Sequence, residues 1–420
     1  MTDLPRCFRL RQRFASSAIQ DVDGAVTRAW QRQAMRLPIS NGQSVAIAVG
    51  SRGIANLSAI VSATVRQIQG HGGVPIIIPA MGSHGGGTAD GQRQVLQSLG
   101  ISSESMDCEV RSVMEPIHLG ELPSGLPVCC DAVAAAADHV VIINRVKPHT
   151  RLVGPLQSGL TKMLLIGLGK RDGAVAYHRS FENFGFDLSF VAADALRVLL
   201  EKVPVRAGLA VIEDAFDQTA HVEVLAADAL LRHEPELLIR ATSMMPRLPF
   251  DEADLVIIDE IGKEISGTGM DTNVVGRKFH DKYVPPNQRP RVEQIYVRGL
   301  TETTAGNATG IGIAEYCRSS VVRQMDRPKT WVNCLTGRHV TAASIPMHFE
   351  TDREVLQAAL TQAKSADADQ ARWMWIPDTL RLSEVVCSEV FFEAAKSRED
   401  LEVISEIAPL RFDDEGQLLP

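Results

Sequence analysis

The chain has no C-x-x-C pair. Its seven cysteines, Cys7, Cys108, Cys129, Cys130, Cys317, Cys334 and Cys387, fall at none of the spacings that zinc ribbons and redox dithiols use, and an odd set of this kind reads as reduced thiols. The neighbours Cys129 and Cys130 would point to opposite faces of an extended chain, so burial is expected of them rather than joint ligation. No stretch of 18 residues is both predominantly apolar and free of charge, and the opening MTDLPRCFRLRQRF lacks the apolar core and small-residue cleavage site of a secretory leader. No run of lysine and arginine stands out against a net charge of −8, so neither nucleic acid nor membrane is an expected partner. Together these absences predict a cytoplasmic protein.

What is present is ordinary folding material. Of 420 residues 45% are apolar and 22% charged, which excludes disorder and, at roughly 100–200 residues per domain, suggests two to three domains. Thirty-two glycines punctuate short apolar runs that alternate with amphipathic stretches, the pattern of an α/β protein. SVAIAVGS (44–51) reads as a buried strand, 54–69 as a helix closed by Gly70, and VPIIIPA (74–80) as the next strand. A helix over 88–99, a less regular stretch to Val128, a small-residue helix at 131–138 and the strand HVVIINRV (139–146) follow. Helices near 156–168 and 186–202 lead to the strand LAVIED (209–214), and SMMPRLPF (243–250) reads as a boundary. The expected organisation is two α/β domains with mostly parallel, Rossmann-like sheets and an active-site cleft between them. The first covers 1–245, with 395–420 available to complete it, and the second covers 246–394.

In open α/β sheets ligands meet the loops at the carboxyl ends of parallel strands. Here those loops are Gly50-Ser51-Arg52-Gly53, Met81-Gly82-Ser83-His84-Gly85-Gly86-Gly87 and Lys147-Pro148-His149-Thr150-Arg151. Arginine suits a carboxylate or phosphate, and histidine exchanges protons near neutral pH. The glycines serve either this chemistry or only a strand-to-helix turn. Gly154 to Gly169 imitates a phosphate-binding loop, but Leu160 stands where the lysine is required, which excludes a nucleoside triphosphatase. A helix N-terminus near Ser158 and Gly159 could still hold one phosphate through its amides. Lys162 lies in an otherwise apolar helix, either snorkelling to water or activated as a nucleophile by desolvation. Gly167, Gly169 and Gly173 miss the dinucleotide spacing, and His178 adds a further polar residue.

The His84 loop, the Lys147-Pro148-His149 loop, Ser158-Gly159-x-x-Lys162 and His178, in this order and spacing, resemble the lactate racemase family, most clearly over about 45–180. The resemblance implies an isomerase that inverts the α-carbon of a 2-hydroxy carboxylic acid by proton-coupled hydride transfer to and from a nickel-pincer nucleotide, a pyridinium thioamide/thiocarboxylate mononucleotide carrying nickel. Lys162 matches the lysine that holds the cofactor through a thioamide, and His178 the histidine that completes the coordination of nickel. His84 and His149 match two catalytic histidines flanking the substrate, and Arg52 an arginine near it. Ser83, Gly85, Ser158 and Gly159 then fall beside the cofactor, and Lys147, Arg277 and Lys278 among substrate contacts. Cofactor-building enzymes become the implied protein partners.

The departures point to a substrate other than lactate, such as a sugar acid. The first loop reads Gly50-Ser51-Arg52-Gly53 rather than Asp-x-Thr-Arg-Pro, and Gly85-Gly86-Gly87 replaces a bulkier Arg-Pro segment. Asp271-Thr272-Asn273 matches the family's Asp-x-Asn stretch, but the Gln and Lys that follow fall at Gly276 and Phe279, leaving Arg277 and Lys278 as substitutes or as a solvated pair. Two other classes stay open: a non-catalytic nucleotide- or nickel-binding protein, and a nicotinamide-dependent 2-hydroxy-acid dehydrogenase, which the missing G-x-G-x-x-G disfavours.

Overall fold

The computed structural model describes residues 3–33, 38–51, 53–278, 281–282, 288–363 and 367–419. The chain forms two compact units, Ala15–Met245 and Met1–Phe14 joined to Pro246–Pro420.

In the first unit the strands lie in the order Glu109–Val110, Val74–Pro79, Ser44–Val49, His139–Arg145, Val205–Glu213 and Thr219–Ala226. All neighbours are parallel except the last pair. Unbroken apolar runs such as Val45–Val49 suit strands covered on both faces. Alternate residues supply two different cores: Ala46, Ala48, Ile78 and Ile142 face one, and Val45, Ile47, Val49, Ile77 and Ile143 the other. Helix Leu57–Gly70 closes the second core with Leu57, Ile60, Val61, Val65 and Ile68, spaced three and four apart. The less regular stretch is an antiparallel ribbon of Pro116–Glu121 with Pro127–Asp131. Chain order reverses between Ser44–Val49 and His139–Arg145, so the crevice of this sheet opens where Gly50, Ser51, Asn144 and Lys147 emerge.

The second unit is built on an eight-stranded sheet, ordered Met347–Phe349, Tyr316–Arg318, Arg291–Leu300, Glu252–Ile261, Trp373–Ile376, Glu384–Ser388, Cys7–Gln12 and Leu401–Val403. The first five strands are parallel and the last three antiparallel. This corrects two expectations. The N-terminal strand Cys7–Gln12 belongs here, because Phe8 and Leu10 alternate inward beside Val385 and Cys387. The tail 395–420 does not complete the first unit: Leu401–Val403 pairs with Cys7–Gln12. Helix Arg327–Thr336, opened by an Asp326 cap on the Lys329 amide and by a proline in its first turn, was not anticipated. All seven cysteines are free thiols, and Cys129 and Cys130 are both buried. Among the described residues no helix is long and apolar enough to cross a membrane.

Candidate active site

The loop after Val74–Pro79 is shaped by glycine. Gly85, Gly86 and Gly87 all have positive φ, and a Cβ on Gly85 would lie 2.6 Å from the Gly91 carbonyl carbon. Thr88 then caps helix Ala89–Ser98 through the Gly91 amide. The fully buried Gln92 donates to the carbonyls of Gly82 (2.8 Å) and His84 (3.3 Å), fixing the backbone from below. His84 is thereby held at the exposed rim with Nδ1 2.8 Å from the Ser51 hydroxyl. That hydroxyl can donate or accept, so either imidazole tautomer is satisfied. Ser83 is half-buried beside it. Arg52 lies outside the described residues.

The loop after His139–Arg145 is tied down by a backbone bridge between Lys147 and Ser158, at 3.0 and 3.3 Å. The His149 amide donates to Gln157 Oε1 (2.8 Å), and its Nδ1 accepts from the amides of Arg151 (3.0 Å) and Leu152 (2.9 Å). The Arg151 guanidinium stacks 4.6 Å above the Phe186 ring.

Lys162 ends a short helical turn, Leu160–Lys162, that widens into a π-helical segment, Met163–Gly167. Such segments concentrate at functional sites. The preceding residues are drawn inward: Asn144 donates to the Gly159 carbonyl (2.8 Å), and the buried Glu234 accepts from the Thr161 amide (2.9 Å) and hydroxyl (2.6 Å). A Cβ on Gly159 would lie 1.9 Å from Glu234 Oε1, so this approach requires glycine. Burial raises the Glu234 pKa, against the hydrogen bonds from Thr161 and Leu160 that lower it. The phosphate cradle expected at Ser158 and Gly159 is therefore corrected. The Leu160 and Thr161 amides are taken by a carboxylate, and the Ser158 amide by the Lys147 carbonyl. Gly167 and Gly169 serve close packing, on the Ala80 carbonyl and on Gly173.

His178 lies on helix Lys170–Ser180, edge-on to Phe181 at 5.0 Å between ring centres. Burial, then the charges of Lys162 and Arg151, push its pKa down to about 4. Its imidazole is neutral at physiological pH and offers a lone pair.

Sequence reasoning missed Lys170. Its side chain is fully buried, with Nζ 2.6 Å from Asp131 Oδ2 and 2.7 Å from the Pro79 carbonyl, at the root of the His84 loop. Asp131 Oδ1 in turn caps helix Ala132–Ala136 through the amides of Val133 and Ala134.

In the second unit the expectation for Arg277 is overturned. It is 2% exposed and donates to the carbonyls of Val292 and Glu293 and to Glu315, so its fork locks the start of strand Arg291–Leu300. Lys278 is half-buried, and desolvation, partly offset by Asp271, lowers its pKa to about 8. Phe279 lies outside the described residues. The glycine-rich stretch 306–312 is a buried turn in which a Cβ on Gly310 would strike the Thr268 carbonyl. Among the described residues no group of three or more His, Cys, Asp and Glu could hold a metal ion by itself.

Residues 12–184 match the family model of the lactate racemase N-terminal domain. No curated protein matches the chain. In fold, the chain is similar to a structural-genomics protein from Thermotoga maritima, with a TM-score of 0.55 and 13% identity over 87% of this chain and 98% of that one. It is also similar to the lactate racemase apoprotein from Thermoanaerobacterium thermosaccharolyticum, with a TM-score of 0.53 and 14% identity over 89% and 93%.

Proposed function

We propose, from the match of residues 12–184 to the lactate racemase N-terminal domain, that the chain is a racemase or epimerase inverting the α-carbon of a 2-hydroxy carboxylic acid. One observation carries this reading. The imidazole of His178 is kept neutral by burial within the field of Lys162, in the unit whose sheet rim bears His84 and His149. A neutral imidazole is an accepted nickel donor and a half-buried lysine amine an accepted point of covalent attachment, so the pair fits a nickel-pincer nucleotide. Lys162 would hold that group and His178 would complete its metal coordination. When bound, the group supplies a reversible hydride acceptor, a chemistry no side chain has.

The chain's own residues do the rest. His84, whose Nδ1 meets the rotatable Ser51 hydroxyl, takes the substrate hydroxyl proton and gives it back. Lys147, at the crevice, attracts the carboxylate, whereas Arg277 is spent on backbone carbonyls. The glycines of the first two loops favour a substrate larger than lactate, such as a sugar acid.

Co-production with the enzymes that build the pincer nucleotide, followed by intact mass and nickel content, tests this. The expected result is a mass increment lost in Lys162→Ala and nickel near one per chain that falls in His178→Ala, after which 2-hydroxy acids are screened for inversion by chiral chromatography. No adduct and no nickel, where a known family member loads fully, would move the weight to a non-catalytic binding protein.

A further inference from the structure

We infer that the second unit pairs with a second copy of this chain through one face, formed by helix Arg327–Thr336, the turn Val340–Ala343 and the strand Met347–Phe349. The inference is independent of the chemistry proposed for the first unit.

Apolar exposure is concentrated on this face. Of fifteen large apolar side chains that stand exposed among the described residues, six fall between 331 and 347: Trp331, Val332, Leu335, Val340, Ile345 and Met347, between 44% and 65% exposed. Trp331, Val332 and Leu335 lie on one side of the helix, and the buried Thr330 and Cys334 on the other. The inner side is fastened down: the Thr330 hydroxyl accepts from the Ala308 amide (3.0 Å), and the Lys329 ammonium donates to the Ala305 carbonyl (2.8 Å). The outer side is thus presented by an already ordered helix, which reduces the entropy lost on association. The three elements adjoin. The end of the helix meets the turn where the His339 amide donates to the Cys334 carbonyl (2.8 Å), and its start shares a cavity of about 410 Å³ with the strand, with Met325, Arg327 and His348 in the walls.

Area, charge and the sheet edge together select the occupant. At ordinary side-chain areas the six exposures amount to roughly 600 Å² of apolar surface, the top of the range for the largest patch on a monomer. A stable complex buries about 800 Å² per partner, so these side chains supply most of one interface and the polar atoms around them its rim. Charge is nearly absent: residues 330–349 contain a single Lys, Arg, Asp or Glu, which is Arg338. The flanking Arg323 is paired with Glu350 at 3.0 Å. A strongly charged partner would be met by opposite charge, and an anionic membrane surface by lysines and arginines bordering the apolar side chains. A copy of the same face needs neither, and an apolar face of this kind suits a homodimer. Met347–Phe349 is the outermost strand of its eight-stranded sheet and pairs only with Tyr316–Arg318 among the described residues. A two-fold axis normal to the sheet lays this strand antiparallel to its own copy, so that each closes the other's open edge.

Sedimentation equilibrium of the full-length chain from about 1 to 100 µM, the range in which an interface of this size associates, is expected to show a dimer. Trp331→Glu combined with Leu335→Glu should weaken the dimer by about a hundredfold or more, because it places charge at the centre of the face. Ile239→Glu, at an exposed apolar residue of the first unit, should leave the dimer intact. Circular dichroism confirms that each variant is folded. Hydrogen exchange of the unsubstituted chain reads the same face without any mutation: peptides within 327–349 should exchange more slowly at the top of the concentration range than at the bottom. A monomer throughout that range, a dimer that persists in the folded Trp331→Glu/Leu335→Glu chain, or concentration-dependent protection confined to other segments overturns the inference.

Discussion

Replacing Lys170 by methionine leaves the Asp131 carboxylate buried without its cation. Both side chains are wholly buried, the ion pair is 2.6 Å long, and the ammonium also holds the Pro79 carbonyl. Breaking a buried pair by removing one partner costs about 3–5 kcal/mol. For a unit of this size each kcal/mol lowers the melting temperature by about 2–4 °C, so Lys170→Met should melt roughly 6–20 °C lower. Asp131→Asn added to Lys170→Met removes the stranded charge while keeping an oxygen for the Val133 and Ala134 amides. The double variant should therefore be more stable than the single one, with a coupling of about 2 kcal/mol. Scanning calorimetry of the parent, both single variants and the double variant decides this. If Lys170→Met melts within about 2 °C of the parent, or if the second substitution lowers stability further by its full independent cost, the charge-burial argument is wrong.

The depressed His178 pKa has a definite sign. The unfolded imidazole binds a proton below about 6.5 and the folded one only near 4, so the group's contribution is fully present above 6.5 and is lost as pH falls towards 4, by on the order of 3 kcal/mol. Melting temperature against pH should be flatter in His178→Gln over that window, and parallel curves would contradict the assignment. Arg277→Lys, which cannot reach the Val292 and Glu293 carbonyls with one fork, should cost roughly 2–3 kcal/mol in urea denaturation and leave substrate KM unchanged. A raised KM at wild-type stability would restore the substrate role. Lys278, with its pKa lowered to about 8, should be acylated faster at pH 8 than the exposed lysines when rates are read by peptide mass mapping, and equal rates would count against the shift.

The parallel strands were legible because Ser44–Val49, Val74–Pro79 and His139–Arg145 are apolar runs bounded by glycine and proline, so local pattern and burial agree. Cys7–Gln12 was not, because CFRLRQ carries arginines on its outer face and its partners, Glu384–Ser388 and Leu401–Val403, lie at the other end of the chain. Local patterning says that such a strand exists and nothing about which sheet it joins. His84 was visible as a polar residue among glycines that offer nothing to pack against, and His149 by its place after Lys147-Pro148 in the loop that follows a parallel strand. Lys170 was hidden in KRDG, a segment that reads as a solvated helix start until Asp131 is brought to it by the fold. Arg277 and Lys278 are adjacent and equally charged, yet Arg277 is buried against the carbonyls of Val292 and Glu293 while Lys278 is half-buried in the field of Asp271.

Glu234 shows why a site must be read from the whole fold. In LRHEPELL it looks like one more charge on a surface helix, but it is 2% exposed and seals the turn before Lys162. The amides of such a turn seek acceptors, and here the acceptor is the protein's own Glu234 carboxyl group. A phosphorylated ligand would meet amides already bonded to Glu234, so this turn cannot grip a nucleotide through its backbone as a phosphate-binding loop does. Glycine at 159 is required by the same contact, since any side chain would occupy the space of Glu234 Oε1. The motif that imitates a phosphate loop is thus a device for fixing the helical turn that bears Lys162, and attachment in this part of the site falls to the Lys162 side chain.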